Sequence, residues 1–144
     1  MTQITPPGRP AHVFQYTDVN LQSEYNPPDI GLPLDKTVYS FDLDKDLTLI
    51  TRPDGQTVTF NYEPNGRLDN VTIPSGIMDY SYNATTGQVS SVSLAGETCS
   101  YVYDGSLLKK ETWAGPVSGF VDYTYDNDFR LTTQRINLRG QIFS

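Results

Sequence analysis

Cysteine, histidine and tryptophan are almost absent from this sequence of 144 residues, which contains one of each. The single cysteine, Cys99, excludes an internal disulfide and leaves the redox compartment open. The single histidine, His12, has no second histidine and no cysteine close to it, which argues against a metal site or a serine–histidine dyad. We therefore predict no metal, no cofactor and no catalytic residue.

Long apolar runs and clusters of basic residues are also missing. No apolar run approaches the ~18 residues of a membrane-spanning helix, which predicts that there is no membrane span. Lysine and arginine number 10 against 17 acidic residues, the net charge is −7, and only Lys109-Lys110 forms a basic pair, which argues against a nucleic-acid partner. The first ten residues lack the charged-then-apolar layout of a signal peptide, so an exported protein would need its signal elsewhere or a different route.

What the sequence has in abundance is tyrosine, with ten residues, and an internal repeat. Units of the form aromatic-x-aromatic recur after 21, 20, 21 and 22 residues, a regularity that is typical of repeat proteins. The units are Tyr39-Ser40-Phe41, Phe60-Asn61-Tyr62, Tyr80-Ser81-Tyr82, Tyr101-Val102-Tyr103 and Tyr123-Thr124-Tyr125, with an earlier copy at Phe14-Gln15-Tyr16. We predict about six repeats, which start near residues 14, 39, 60, 80, 101 and 123.

Each repeat has the residue types of a β-hairpin. An acidic residue or an asparagine follows each later aromatic pair, where its side chain can hydrogen-bond the backbone two residues on and begin a turn. Glycines within these turns supply positive φ, and a second short strand follows. The residues predicted to form the structural repeat motif are Tyr39, Phe41, Asp42, Phe60, Tyr62, Glu63, Gly66, Tyr80, Tyr82, Asn83, Gly87, Tyr101, Tyr103, Asp104, Tyr123, Tyr125 and Asp126.

The alternation of residue types within these strands predicts an all-β fold. Val58, Phe60 and Tyr62 lie two residues apart and therefore share one face of a strand, and no segment has a helical period. We expect about eleven strands in an antiparallel meander of hairpins, with 20–22 residues per repeat, that forms a curved, open sheet with a partly buried aromatic face. Residues 1–13 are predicted to be a Pro-rich segment with the tail of a preceding repeat, and residues 14–144 to be the repeat array.

Two features that could carry chemistry have simpler interpretations. Cys99 occupies a register that is apolar in other repeats, where cysteine acts as a small hydrophobe. The alternate acids Asp42, Asp44 and Asp46 are similar to the start of an EF-hand calcium loop, but Leu47 stands where that loop needs glycine. A hairpin turn accounts for the acids better, and no ligand-binding residue is predicted.

The repeat resembles a known family. Tyr-x-Tyr-Asp followed by Gly-Arg-Leu, as in YEPNGRL and YTYDNDFRL, is similar to the YD repeat of bacterial rearrangement-hotspot (Rhs) proteins, of the C components of insecticidal Tc toxins and of animal teneurins. The segment RPDGQTVTFNYEPNGRL resembles the bacterial form closely. The resemblance extends from about Thr5 to Ser144.

The resemblance implies a structural role. In this family, long arrays of YD hairpins coil into a hollow shell around a C-terminal, often toxic, domain. The chain is then expected to be a non-enzymatic segment of the shell of a larger bacterial protein, secreted or on the cell surface. Its implied partners are neighbouring YD repeats of the same chain and the enclosed C-terminal domain. Self-cleavage in the family depends on an Asp-Pro-x-Gly-Leu segment, and this sequence has no Asp-Pro pair, so no autoproteolysis is implied.

Both ends of the sequence look like parts of repeats. TPPG at residues 5–8 aligns with RPDG and IPSG later in the chain, and residues 140–144 copy the run that leads into an aromatic unit. We therefore expect a piece of a longer array whose edge strands can pair with another copy, giving edge-to-edge self-association. The alternative function is an autonomous cell-surface adhesion module that recognises a protein or a glycan, and a small enzyme is a weaker alternative.

Overall fold

The structure, a computed structural model, describes residues 1–28, 35–138 and 141–143, with side chains described as far as residue 138. Within these ranges the chain forms β-strands and no helix, so none of it is a helix that could cross a membrane. The chain divides into two compact units, Met1–Ser75 and Gly76–Ser144. The partial repeat predicted at residues 140–144 lies largely outside the described residues.

The first unit contains seven strands. They are β1 (Thr2–Ile4), β2 (His12–Tyr16), β3 (Gln22–Asn26), β4 (Thr37–Phe41), β5 (Leu47–Thr51), β6 (Thr57–Tyr62) and β7 (Leu68–Ile73). Each strand pairs antiparallel with its neighbours in sequence, from β1 with β2 to β6 with β7. Among the described residues of this unit no pairing joins β1 to β7, so the unit is an open meander.

The second unit repeats this arrangement with longer strands. They are β8 (Gly76–Tyr82), β9 (Val89–Leu94), β10 (Glu97–Asp104), β11 (Leu107–Ala114), β12 (Gly119–Tyr125), β13 (Leu131–Leu138) and β14 (Gln141–Phe143). They too pair antiparallel in chain order. The predicted all-β antiparallel meander in an open sheet is therefore confirmed. Fourteen strands are described where about eleven were expected, since three-residue strands such as β1 and β14 are too short to show an alternating pattern.

The aromatic side chains of the repeat motif lie on one face of each compact unit and, except for the exposed Tyr16, are half-buried. Phe60 lies opposite Val71, and Tyr80 lies opposite Val92, so aromatic and β-branched side chains form cross-strand pairs. Only Val71 and Val121 are buried among the described residues, each with 8% of its surface exposed. Each unit is thus a single layer whose apolar face is packed mainly by side chains of neighbouring strands.

Each hairpin that carries an aromatic unit has a β-bulge at the same place. The register shifts between the middle residue and the second aromatic of the unit in all six pairs. The extra residue lies on the return strand and is polar in every copy: Ser23, Thr48, Asp69, Ser90, Lys109 and Thr132. Since the bulge recurs in every copy, it is part of the repeat. A bulge bends and twists the strand that carries it, so each repeat also carries this local bend.

Candidate functional site

Two tyrosines of the repeat motif connect their hairpin to the hairpin before it. The hydroxyl of Tyr62 donates to the backbone carbonyl of Leu47 at 2.9 Å, and the hydroxyl of Tyr125 donates to the carbonyl of Leu108 at 2.8 Å. Both acceptors lie opposite the second aromatic of the preceding unit, directly before its bulged residue. Since the strand ladder is interrupted at a bulge, each hydroxyl supplies a donor where the backbone pairing is incomplete.

In the five aromatic units from Tyr39 onward, the first aromatic residue lies opposite a residue of the return strand of its own hairpin. The pairs are Tyr39 with Ile50, Phe60 with Val71, Tyr80 with Val92, Tyr101 with Glu111, and Tyr123 with Gln134. The partner is therefore apolar in the earlier copies and polar in the last two. The Tyr123 hydroxyl donates to the Glu111 carboxylate at 3.3 Å. Glu111, the polar partner of Tyr101, is therefore hydrogen-bonded on the aromatic face.

The residue after each aromatic pair lies at a turn. One carboxylate oxygen of Asp42, and one of Asp126, accepts the backbone N–H groups two and four residues on, at 2.9–3.0 Å. The amide oxygen of Asn83 accepts the N–H groups two and three residues on, at 2.9 and 3.0 Å. Glu63 instead pairs with the Arg67 side chain at 2.6 Å. These side chains hold their own turns, and in the described ranges no three histidine, cysteine or acidic side chains are grouped to hold a metal ion.

Asp104 belongs to a different turn from the other four. It is the last residue of β10 and pairs with Leu107 across the two residues Gly105 and Ser106. Of these two, only Gly105 has positive φ, at 57°, which is the pattern of a type II′ turn. The repeat therefore accepts a two-residue hairpin turn where the other copies use longer ones.

In three of the turns a residue other than glycine has the positive φ that glycine was expected to supply. Gly66 and Gly87 have φ of 81° and 73° in their turns. The corresponding positions in other turns carry Asn20, Lys45 and Phe129, with φ of 63°, 72° and 61°. Only asparagine among these three is a residue that commonly takes this conformation, so the sequence of the turn gives no signal for the other two.

An apolar groove lies on the aromatic face of the second unit. It has a volume of about 680 Å³, and its walls come from four adjacent strands. Cys99 lies at its centre, directly opposite Val92 on one side and Trp113 on the other. Tyr80 and Tyr101 complete the aromatic part of the wall. Sequence reasoning placed Cys99 in an apolar register but missed this groove, because the groove depends on side chains such as Trp113 that are particular to one repeat.

The floor of the groove near Trp113 depends on a glycine. Gly119 lies opposite Trp113, and a Cβ atom at residue 119 would come within 2.8 Å of the indole ring and 2.4 Å of the Asn137 carbonyl oxygen. The indole therefore lies over the backbone of β12. A side chain larger than hydrogen at this position would displace the ring.

Several tyrosine hydroxyls of the motif have raised pKa values. The hydrogen bond with Cys99, followed by burial, raises the pKa of Tyr101 to about 12. Burial, ahead of nearby carboxylates, raises the pKa of Tyr62 and of Tyr123. These hydroxyls therefore stay protonated at neutral pH and remain able to donate hydrogen bonds.

The remaining titratable candidate, His12, is engaged in packing. Its Nδ1 lies 2.6 Å from the Tyr25 hydroxyl, and the two rings stack with centroids 5.9 Å apart. Tyr25 in turn stacks on Phe14 at 5.1 Å. His12 thus belongs to an aromatic cluster on β2 and β3, and among the described residues it is not part of any group of three histidine, cysteine or acidic side chains that could hold a metal ion.

The face opposite the groove in the second unit is polar and charged. Lys110 Nζ lies 4.1 Å from the centre of the Phe120 ring, and the Arg135 guanidinium lies 5.9 Å from it. Both cations also pair with the Asp122 carboxylate. Phe120 is therefore covered by cations of the chain itself.

Comparison with protein families gives one match over the whole sequence. A family model described as Teneurin YD-shell matches residues 1–144. Two similar curated proteins are Teneurin-3 of Danio rerio, 29% identical over 150 residues, and Teneurin-3 of Mus musculus, 29% identical over 152 residues. Each alignment covers 94% of this chain but 5% of the relative, so the chain spans a small part of those proteins.

Solved structures share the fold at low sequence identity. The crystal structure of TcdB2-TccC3 without its hypervariable C-terminal region matches with a TM-score of 0.70 and 15% identity, over 90% of this chain and 8% of that chain. The crystal structure of TcdB2-TccC3-Cdc42 matches with a TM-score of 0.66 and 18% identity, over 94% of this chain and 8% of that chain. At sequence identities this low, the similarity shows a shared fold and no more.

Proposed function

We propose that this chain, which belongs to the Teneurin YD-shell family, is a non-enzymatic structural segment of a YD-repeat shell. The shell would enclose a toxin or other C-terminal cargo domain. The observation that carries this proposal is the repeated contact between hairpins. The bulge recurs in one register, and Tyr62 and Tyr125 each bond to the hairpin before their own. A unit that contacts mainly its neighbours can be extended in both directions, which a continuous wall requires.

The partners in this proposal are neighbouring YD repeats of the same longer chain and the enclosed C-terminal domain. The division into a preceding repeat tail at residues 1–13 and an array at residues 14–144 is part of it. Its support is that β1 pairs with β2 as the return strand of an earlier repeat would. The bacterial, secreted or cell-surface assignment stays a prediction, since the curated relatives above are animal proteins.

The adhesion alternative has less support. A protein or glycan receptor of this kind would be favoured by a broad exposed aromatic patch. Among the described residues only Tyr16 and Phe129 are exposed aromatics, at 42% and 72%, and they lie in different units. The remaining aromatics are half-buried by their neighbours, which suits a wall better than an adhesive surface.

Limited proteolysis of the full-length protein from its source tests whether the repeats enclose another domain. We expect the domain that follows the repeats to resist a non-specific protease under native conditions and to be degraded once separated from them. Tyr125→Ala should speed its cleavage, because it removes a contact between successive hairpins. Tyr16→Ala is the matched control, because Tyr16 is the exposed second aromatic of the first repeat. This variant should leave protection unchanged. Equal cleavage of the enclosed and separated domains would overturn the proposal.

Self-association of the 144-residue segment tests its edges. β1 is short and exposed, and Ile4 on it has 60% of its surface exposed. Because an unpaired edge invites pairing with another chain, we expect the apparent mass from light scattering to rise with concentration. Ile4→Lys should reduce this rise, as charge on an edge strand opposes pairing. A monomer at every concentration would contradict edge-to-edge association.

A further inference from the structure

We propose that the apolar groove of the second unit binds a small organic cation with an aromatic or branched apolar body. The groove is lined by Tyr80, Val92, Leu94, Cys99, Tyr101 and Trp113, with Glu97 and Val117 also on its wall. This inference does not depend on the shell role, because all of these residues belong to one unit.

The size and lining of the groove fit a small molecule. Its volume of about 680 Å³ falls within the range of roughly 300–1,000 Å³ that is typical of ligand sites. Such sites are lined mainly by apolar and aromatic side chains with few polar groups, and this lining has that character. Val117, at the wall, has 51% of its surface exposed, so a ligand can enter from solvent without unfolding the sheet.

The charge around the groove selects a cation. Glu97 is exposed on its wall, and its side chain crosses Gly115, where an added Cβ atom would lie 3.0 Å from Glu97 Cγ. Glu111 lies opposite Tyr101 on the same face and adds a second carboxylate nearby. None of the residues that line the groove is basic, and no ion pair to Glu97 is formed among the described residues.

The aromatic rings strengthen this preference. A cation near the face of tryptophan or tyrosine is attracted by the ring quadrupole, and tryptophan is the strongest of these acceptors. On the opposite face Phe120 is already covered by Lys110 and Arg135. Trp113 has no such internal cation among the described residues, so its ring is available to a cation from solution.

Three probes with one carbon frame and different head groups test the charge preference. They are phenylbutylammonium, phenylbutanol and phenylbutyrate, added to the whole chain at neutral pH. Trp113 is the only tryptophan, so its fluorescence reports binding at the groove, and protection of Cys99 from iodoacetamide gives a second reading. We expect the ammonium to bind roughly threefold to thirtyfold more tightly than the alcohol, and the carboxylate to bind most weakly.

Glu97→Gln tests the carboxylate separately from the apolar wall. This exposed residue should tolerate the change, and the variant should bind the ammonium about twofold to fivefold more weakly while binding the alcohol as before. Asp69→Asn is the matched control, because it removes one negative charge from the first unit and should change neither affinity. A uniform loss for all three probes in Glu97→Gln would overturn the assigned role of the charge.

Results on the unaltered chain can also overturn the site. Equal affinity for the ammonium and the alcohol, or tightest binding of the carboxylate, would contradict a cation site. Unchanged Trp113 fluorescence together with unprotected Cys99 at millimolar ammonium would show that the groove does not take this class of ligand.

Discussion

Two turns of this chain, at residues 63–67 and 126–130, have the same hydrogen-bond frame. In each, the N–H of the acidic first residue donates to the carbonyl of the arginine four positions on, at 2.7 Å for Glu63 and 3.0 Å for Asp126. The arginine side chain then pairs with that acid, at 2.6 Å for Arg67 and 2.9 Å for Arg130. The two ends of the turn are therefore fixed by the same residue types.

The fourth residue of the five differs between the two turns. Gly66 takes the left-handed conformation with φ of 81°, whereas the corresponding residue of the later turn is Phe129, with φ of 61°. A side chain in this region costs about 1–2 kcal/mol, and Phe129 regains little by burial because 72% of its surface is exposed. The difference shows that hydrogen bonds at the ends of a turn can impose a conformation that its fourth residue disfavours.

The largest expected effect concerns the tyrosine that precedes each turn, which should be equivalent in both copies. Replacing Tyr62 or Tyr125 by alanine should lower the free energy of unfolding by about 2–4 kcal/mol, because each loses a half-buried ring and a hydrogen bond. Phenylalanine at either position removes only the hydroxyl and should cost about 1 kcal/mol. Urea unfolding followed by circular dichroism measures both. A loss below about 1 kcal/mol for either alanine variant would break the equivalence.

A smaller effect separates the two acids. Both acids pair with an arginine side chain, but Asp126 also accepts two backbone N–H groups of its own turn with one carboxylate oxygen. Asp126→Ala should therefore cost more stability than Glu63→Ala, for which we expect about 0.2–1 kcal/mol. The same urea experiment tests this order. Equal losses would mean that the backbone bonds of Asp126 do not compensate for the missing glycine.

Substitutions at the fourth residue of each turn should change the free energy of unfolding in opposite directions. Phe129→Gly should stabilise the second unit by about 1 kcal/mol, and Gly66→Ala should destabilise the first by a similar amount. The alanine effect is conformational, since a Cβ atom at residue 66 would meet no atom within 4 Å. Phe129→Leu keeps a side chain at this position and is the control with little expected change. Destabilisation by Phe129→Gly would show that the ring contributes more than its exposure indicates.

The fold could be predicted because its signal is periodic. Each aromatic unit is followed by turn residues and a short alternating strand, and six copies of this order specify an antiparallel meander without any tertiary information. The bulge could not be predicted, because a polar residue such as Thr48 at the extra position looks like an ordinary solvent-facing residue of the strand. Only the register of the partner strand distinguishes the two.

The groove was beyond prediction for a related reason. Cys99, Val92 and Trp113 meet because three strands place them side by side, and the bulge between β10 and β11 sets part of that register. A pattern that averages over repeats describes what the copies share. The groove depends on how one copy departs from the others, with a tryptophan on a return strand and a glycine, Gly119, beneath its ring.

The smallest expected effect is a dependence of the later turn on acid. Hydrogen bonds from Arg130, first from its backbone N–H and then from its side chain, lower the pKa of Asp126 below its usual 3.8. A carboxyl group whose pKa is lowered on folding contributes stability that is present above its unfolded pKa and lost as the pH falls through its folded pKa. The chain should therefore lose stability below about pH 4, and Asp126→Asn should lose less over the same range. Asn83 occupies the corresponding position in an earlier turn, so the amide is compatible with the motif. Urea midpoints measured across this range for both proteins give the comparison, and parallel decline would mean that the Asp126 charge does not stabilise the turn.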